Sequence, residues 1–397
     1  MTSGNGSASF SLFSRVAAAA CQGAFLILLA RTANLAQFGI YSTTCAIGAI
    51  LIGFLSAGLP NRALQITEPK SSIGGSYLAA AIVLSATAFL ATLLASATSL
   101  GSLSWIMVSA ATFTAAELQN NIAQSYLYGL KKNKEADIFT LLRRALPLAA
   151  VAAASTLRPS WDKFAIISGC FALAWLAGAI RFLGQYNFKS LHKNALRGGS
   201  NYWLINIWTM LQQLDVILIN AFLGSHLSGL YASAVRLASP VHIITSLIAS
   251  RLVPNLRHAE SSSERQAIWE KTYKPLRLAL LLLAATSPAL FWIAPMLFKA
   301  DAASQNFVYV AAFCAALLSL LCQILSACLY TKNQEAAVQR LTRLSVFTGL
   351  VIVSIGSYAG SFTVAALGIL CSQLILAWFL TKSNGTNRWT GKAEASS

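Results

Sequence analysis

The chain has 397 residues, of which 56% are hydrophobic and only 10% charged. A water-soluble chain carries about 25% charged residues, so there is too little polar surface here to coat a globule, and a soluble fold is excluded. The net charge of +17 first suggests nucleic acid, but the basic residues sit in short blocks between apolar runs of about 20 residues, the length that crosses a bilayer core. No basic stripe with interleaved aromatics occurs, which argues against nucleic-acid binding.

In chain order the apolar runs predict twelve helices, roughly 10–30, 40–59, 75–96, 103–128, 138–156, 164–183, 200–223, 229–251, 276–297, 307–330, 343–358 and 362–381. The expected fold is an all-α polytopic membrane protein. All seven cysteines lie inside these runs, with neither CxxC spacing nor a disulfide framework. "AAAC" ending at Cys21 could close a lipoprotein signal, but the apolar run continues to Ala30, which favours a retained first helix.

Orientation follows from charge. With the N-terminus inside, 23 of the 29 Lys and Arg fall in inner loops and the C-terminal tail, against Arg31, Arg158, Lys163 and Lys299 outside. That asymmetry places both termini in the cytoplasm. The outer loops are short, which leaves little room for the chemistry of a membrane glycosyltransferase or polymerase.

Two segments recur. "KNKEADIFTLLRRAL" from Lys132 returns as "KNQEAAVQRLTRLSV" from Lys332, an offset of 200, and "FGIYS" (Phe38–Ser42) returns as "SGLYA" (Ser228–Ala232), an offset of 190. The members of each pair fall on the same side of the membrane, so two six-helix bundles repeat in parallel orientation. The expected organisation is an N-terminal bundle over 1–183, a basic cytoplasmic linker over 184–199, a C-terminal bundle over 200–381 and a cytoplasmic tail over 382–397. Repeated halves of this kind rock against each other around a central site, which points to a transporter.

Ionisable groups inside a bilayer are costly and mark functional sites by default. Here they are Arg15, Glu117, Asp215, Arg236 and His242. In "ELQNNIAQ", Glu117, Asn120 or Asn121, and Gln124 share one helical face and suit the wall of a polar cavity; helix–helix adhesion through the amides is the competing account. Arg15 lies close to the start of the first helix, where it either contacts a ligand or snorkels to headgroups. Asp215 and Arg236 lie at matched depth on the two arms of a hairpin turning near His226, flanked by Gln212, Gln213 and His242. They serve either as a structural ion pair or as separate functional groups in a wet cavity. Pro240 is expected to bend the second arm. No metal-binding, nucleophile or phosphate-loop motif is present, so catalysis has no visible home.

The first two helices, "SRVAAAACQGAFLILLARTANLAQFGIYSTTCAIGAILIGFLSAGLP", and the later "LDVILINAFLGSHLSGLYASAVRLASPVHIITSLIASRLVP" resemble signatures of bacterial polysaccharide (O-antigen type) flippases. These belong to the multidrug/oligosaccharidyl-lipid/polysaccharide exporter superfamily. The resemblance implies a pair of six-helix bundles around a cationic cavity in the bacterial inner membrane, flipping an undecaprenyl-diphosphate-linked oligosaccharide for surface polysaccharide. Twelve spans rather than fourteen match the polysaccharide branch and not the peptidoglycan-precursor branch. By this analogy Arg15 and Arg236 contact the diphosphate or acidic sugars, with Glu117, Asn120, Gln124, Gln213 and His242 in the substrate site, while Asp215 or Glu117 carries a coupling H+ or Na+. No other cofactor or metal is expected. Partners would be the lipid-linked oligosaccharide, membrane lipids and a polysaccharide polymerase or glycosyltransferases. The alternative is a multidrug or small-cation exporter of the same fold.

Overall fold

Side-chain caps set several helix boundaries. Asn34 Oδ1 accepts the Gln37 N–H at 2.8 Å ahead of α2 (Leu35–Leu55), directly after α1 (Gly4–Thr32). Further on, α3 (Leu59–Ala63), α4 (Ser72–Leu100), α5 (Trp105–Gly129) and α6 (Asn133–Leu157) lead to α7 (Lys163–Ile180), which Asp162 caps through the Phe164 N–H at 2.8 Å. Then come α8 (Ser200–Leu211), α9 (Leu214–Leu223) and α10 (Ser225–Leu237). A Ser-x-x-Glu start opens α11 (Ser262–Thr286), in which Ser261 Oγ accepts the Glu264 N–H at 3.1 Å. A 3₁₀ turn joins it to α12 (Leu290–Phe298), followed by α13 (Phe307–Thr331), α14 (Glu335–Tyr358) and α15 (Phe362–Thr386).

This is a computed structural model that describes residues 4–63, 66, 72–101, 103–157, 162–188, 200–238, 241, 252, 256, 259, 261–298, 306–331 and 334–386. Among the described residues there is no strand, and ten helices are long and apolar enough to cross a membrane. These ten correspond to ten of the twelve expected spans. The expected span 103–128 is α5, a helix of 25 residues whose acid and amides lower its hydropathy. The expected span 229–251 continues from α10 into residues outside the described set.

Two boundaries differ from expectation in a way that matters. The helix expected over 138–156 begins five residues earlier, at Asn133, and the one expected over 343–358 begins at Glu335. Charged first turns hid both starts, because an apolar window discards residues that a helix readily includes.

The described residues divide into two compact units, 1–233 and 234–397. In the first, α5 is the central element, packed by α2, α3, α4, α6 and α7, while α1 lies along α6. Leu59, Leu78, Leu118, Ile122 and Tyr126 form its apolar core. In the second, α15 packs against both α13 and α14 over a core of Cys322, Leu325, Leu329, Val338, Leu376 and Leu380, while Leu317, Leu320 and Ile324 of α13 belong to a further buried cluster. Buried hydroxyls return their protons to the preceding turn, as Thr114 Oγ1 does to the Ala110 carbonyl at 2.9 Å, so they cost little inside a dry bundle. Outward stripes such as Leu90 and Leu94, or Leu173, Leu176 and Ile180, are exposed. A bilayer suits such stripes; water does not.

The "FGIYS" and "SGLYA" repeats meet each other in the first unit. A Cβ on Gly39 would lie 1.9 Å from the Ser225 carbonyl oxygen, and one on Gly229 would lie 2.0 Å from that of Leu35. Leu35 and Ser225, like Gly39 and Gly229, differ by the repeat offset of 190. The α2–α10 crossing is therefore one contact made twice, and only glycine permits it at either position. Thr43 and Ser228 hydroxyls meet beside it at 3.3 Å.

Candidate functional site

The polar residues of α5 point into the interior of the first unit, and α6 answers them. Glu117 is the midpoint of α5, twelve residues in from Trp105. Its Oε1 accepts Arg144 Nη2 at 2.7 Å, and its Oε2 lies 3.5 Å from Arg143 Nη1. Arg144 also stacks over the Phe113 ring, 5.9 Å from its centre. Both arginines are eleven or twelve residues into α6, roughly 15 Å from its start. Pro147 follows in the same helix. Having no N–H, it cannot bond the Arg143 carbonyl four residues back.

A second layer lies seven residues away on each helix, about two turns or 10 Å. Asp137 of α6 is fully buried; its Oδ1 accepts the Tyr128 hydroxyl at 2.6 Å and Arg15 Nε at 3.3 Å. Gln124 Nε2 donates to the Tyr128 oxygen at 3.1 Å, and the Arg15 guanidinium lies over the Tyr128 ring at 5.1 Å. Arg15, Glu117 and Gln124 thus fall on one α1–α5–α6 seam, together with Asp137, Arg143 and Arg144. These last three were not expected in the site. Arg143 and Arg144 lie within the expected span 138–156 but enter the inner-loop charge count; the start of α6 at Asn133 sets them five residues deeper. The signal available was spacing, since Asp137 to Arg144 is the same seven residues as Glu117 to Gln124.

Asn120 departs from this seam. It is wholly buried, and among the described residues neither its Oδ1 nor its Nδ2 has a hydrogen-bond partner. It packs on α7, where a Cβ at Gly178 would come 2.5 Å from its Oδ1. Its neighbour Gln119 accepts from Ser85 Oγ at 3.5 Å, which in turn accepts Trp175 Nε1 at 2.9 Å, tying α4, α5 and α7 together.

The hairpin holds a separate polar site. The helix expected over 200–223 is broken at Gln212 and Gln213, which turn between α8 and α9. Backbone bonds close the break: the Gln213 N–H donates to the Met210 carbonyl at 3.0 Å and the Asp215 N–H to that of Gln212 at 3.2 Å. Asp215 therefore stands in the first turn of α9, where the helix dipole favours a carboxylate. It is buried; its Oδ1 accepts the Val216 N–H at 2.6 Å and its Oδ2 the Tyr231 hydroxyl of α10. Gly224, at φ 88°, makes the tight turn between the two helices. Arg236 is in the last turn of α10 and half-buried. His242 and Pro240 lie outside the described residues. No group of three or more His, Cys, Asp or Glu able to hold a metal ion occurs among the described residues.

No protein-family model matches the chain, and no curated protein does. Solved structures do. A MOP superfamily transporter from Pyrococcus furiosus, described as having a binding pocket of reverse polarity, aligns over 96% of this chain and 95% of its own at 13% identity, with a TM-score of 0.60. A multidrug resistance MATE family transporter of the same superfamily aligns in its inward-facing conformation over 98% and 96% at 12% identity, with a TM-score of 0.61. Its outward-facing conformation aligns over 96% and 95% at 13% identity, again with a TM-score of 0.61. The chain has the fold of these transporters. With it the chain is an all-α, multi-pass membrane protein of two repeated helical bundles, and these structural neighbours are transporters and not enzymes.

Proposed function

We propose that the protein is a transporter working by alternating access, and that its substrate is anionic: an oligosaccharide carried on undecaprenyl diphosphate, flipped across a bacterial inner membrane for surface polysaccharide. The observation that carries this reading is the sign and cost of the charge buried in the first unit. Arg15, Arg143 and Arg144 stand against Glu117 and Asp137, a net positive seam at the middle of two helices. Guanidinium forks suit phosphate oxygens, and their charge survives burial.

Packing alone does not call for these groups. At the offset of 200 the second half puts Leu317, Leu320 and Ile324 where the first has Glu117, Asn120 and Gln124, and all three are buried in its core. Arg236 is proposed as a further contact to the diphosphate. For the coupling H+ or Na+, Asp215 is better placed than Glu117, which already neutralises two guanidiniums. Cytoplasmic termini, and a polymerase or glycosyltransferases as partners, complete the proposal.

A multidrug or small-cation exporter is the second reading, supported by the likeness to a multidrug transporter. The net positive seam disfavours it, since a cationic drug would meet like charge. Deleting the gene in a strain without redundant flippases decides between them. Accumulation of lipid-linked oligosaccharide on the cytoplasmic leaflet, with loss of surface polymer, is expected. Unchanged polymer with lowered drug tolerance overturns the flippase.

A further inference from the structure

We infer that Glu117 is a resident stand-in for the substrate's anionic group, occupying Arg143 and Arg144 until an incoming phosphate displaces it. The inference rests on the anionic-substrate reading above and adds a competitor to it.

The geometry is that of a ligand imitated by a side chain. Each carboxylate oxygen of Glu117 faces a different arginine, Oε1 on Arg144 at 2.7 Å and Oε2 near Arg143 at 3.5 Å. A phosphate presents the same pair of oxygens along one edge, with further oxygens behind. The imitation is incomplete. Arg143 is 5% exposed, yet its Nε and Nη1 have no hydrogen-bond acceptor among the described residues. Buried donors of this kind are nearly always satisfied, and a charged one is costly to leave open. A tetrahedral anion has the oxygens to engage both guanidiniums at once; a carboxylate held by Arg144 at hydrogen-bonding distance reaches Arg143 only as an ion pair.

Accessibility separates this pair from its neighbour. Glu117 and Arg144 keep part of their surface open, at 19% and 14% exposed. Asp137, two turns away, is 0% exposed and also holds the Tyr128 hydroxyl. It is a lock between α1, α5 and α6. Nor does packing demand an acid at the middle of the helix, because the second half has the buried Leu317 at the position of Glu117. An anion that displaces Glu117 leaves the arginines charged and matched, and the cost of entry is the loss of one internal ion pair. That cost keeps the empty transporter from holding small stray anions while a diphosphate, with more oxygens and charge, overcomes it.

The test measures inorganic diphosphate binding to the full chain in neutral phosphatidylcholine nanodiscs by calorimetry. Glu117→Gln, which keeps the shape and removes the competing charge, is expected to bind about tenfold tighter than the unaltered protein, a difference of about 1.4 kcal/mol. Adding Arg144→Gln is expected to abolish the gain, and Asp137→Asn to leave affinity within about threefold. If Glu117→Gln does not fold, Glu117→Asp, one methylene shorter, is expected to gain about threefold through a looser pair. Affinity unchanged or weakened in the Glu117 variants, while Arg144→Gln alone weakens binding, overturns the stand-in and leaves an anion site. Absence of diphosphate binding in every folded variant, with binding of tetraphenylphosphonium, overturns the anionic reading itself, and the inference with it. Loss of the gain when phosphatidylglycerol is added to the disc assigns the anion to bilayer lipid and also overturns the inference.

Discussion

The two halves of this chain use one repeated segment to different ends. In the first, α5 and α6 set Glu117 and Gln124 opposite Asp137, Arg143 and Arg144, while Asn120 of α5 turns toward α7. At an offset of 200 the second has Leu317, Leu320 and Ile324 on α13, then Ala337, Arg343 and Leu344 on α14. Only Arg343 keeps the charge, and it is exposed, whereas Arg143 is buried. The same helix pair folds with a polar seam or without one. The polar version therefore has to be justified by something other than folding, since apolar residues generally pack a buried position as well or better.

That comparison can be broken most forcefully at Glu117. Glu117→Leu, which installs the residue of the second half, should strand two guanidiniums and cost about 3–5 kcal/mol. Thermal unfolding of the purified protein measures it. Replacing Arg143 and Arg144 by Leu as well should recover most of that stability, and restore no transport. Recovery of transport in this triple variant would make the seam a packing device.

The converse graft is the next largest. Leu317→Asp puts a lone acid at the centre of α13 and should cost about 3 kcal/mol, read as lowered yield of inserted protein. A smaller effect is expected at Gly178. Gly178→Ala should cost about 1–2 kcal/mol because its Cβ presses on Asn120, and Asn120→Ala should relieve most of it in a double-mutant cycle. An additive result would mean that Asn120 is not the obstacle. Smaller again, Asn120→Leu should shift stability by less than about 1 kcal/mol in either direction, since it removes a buried amide that has no partner among the described residues. Arg343→Ala, on an exposed face, should stay within about 0.5 kcal/mol, against a large loss for Arg143→Ala.

Much of this architecture is legible in the sequence, and the reasons it is not wholly so are specific. Apolar run length is a one-dimensional property, and it located the spans. It failed at the start of α6, where Lys134, Glu135 and Asp137 lower the local hydropathy although the backbone is already helical. Arg143 and Arg144 therefore read as the cytoplasmic edge of the span 138–156, although in α6 they lie eleven and twelve residues in. Glu117, Gln124 and Arg15 stood out because each interrupts an apolar run. Which cation answers which acid depends on helix contacts that no single run contains. The break at Gln212 and Gln213 was equally hidden, since two glutamines are compatible with a continuous helix until Asp215 needs its N-terminus. The likeness of "FGIYS" to "SGLYA" revealed a repeat but not that its two copies touch.

That contact has a consequence for how the protein is made. Ser225 and Gly229 complete the close approach to α2, and Met210 of α8 lies against Gly53 near its other end. One flank of the second helix to be synthesised is thus covered by residues translated more than 150 positions later. A nascent chain halted after residue 199 would hold α2 in the bilayer with Gly39 and Gly53 lacking these partners. The first unit cannot mature until the ribosome is well into the second repeat, so α2 must wait in the membrane, or be sheltered there by an insertase, for its partner to arrive.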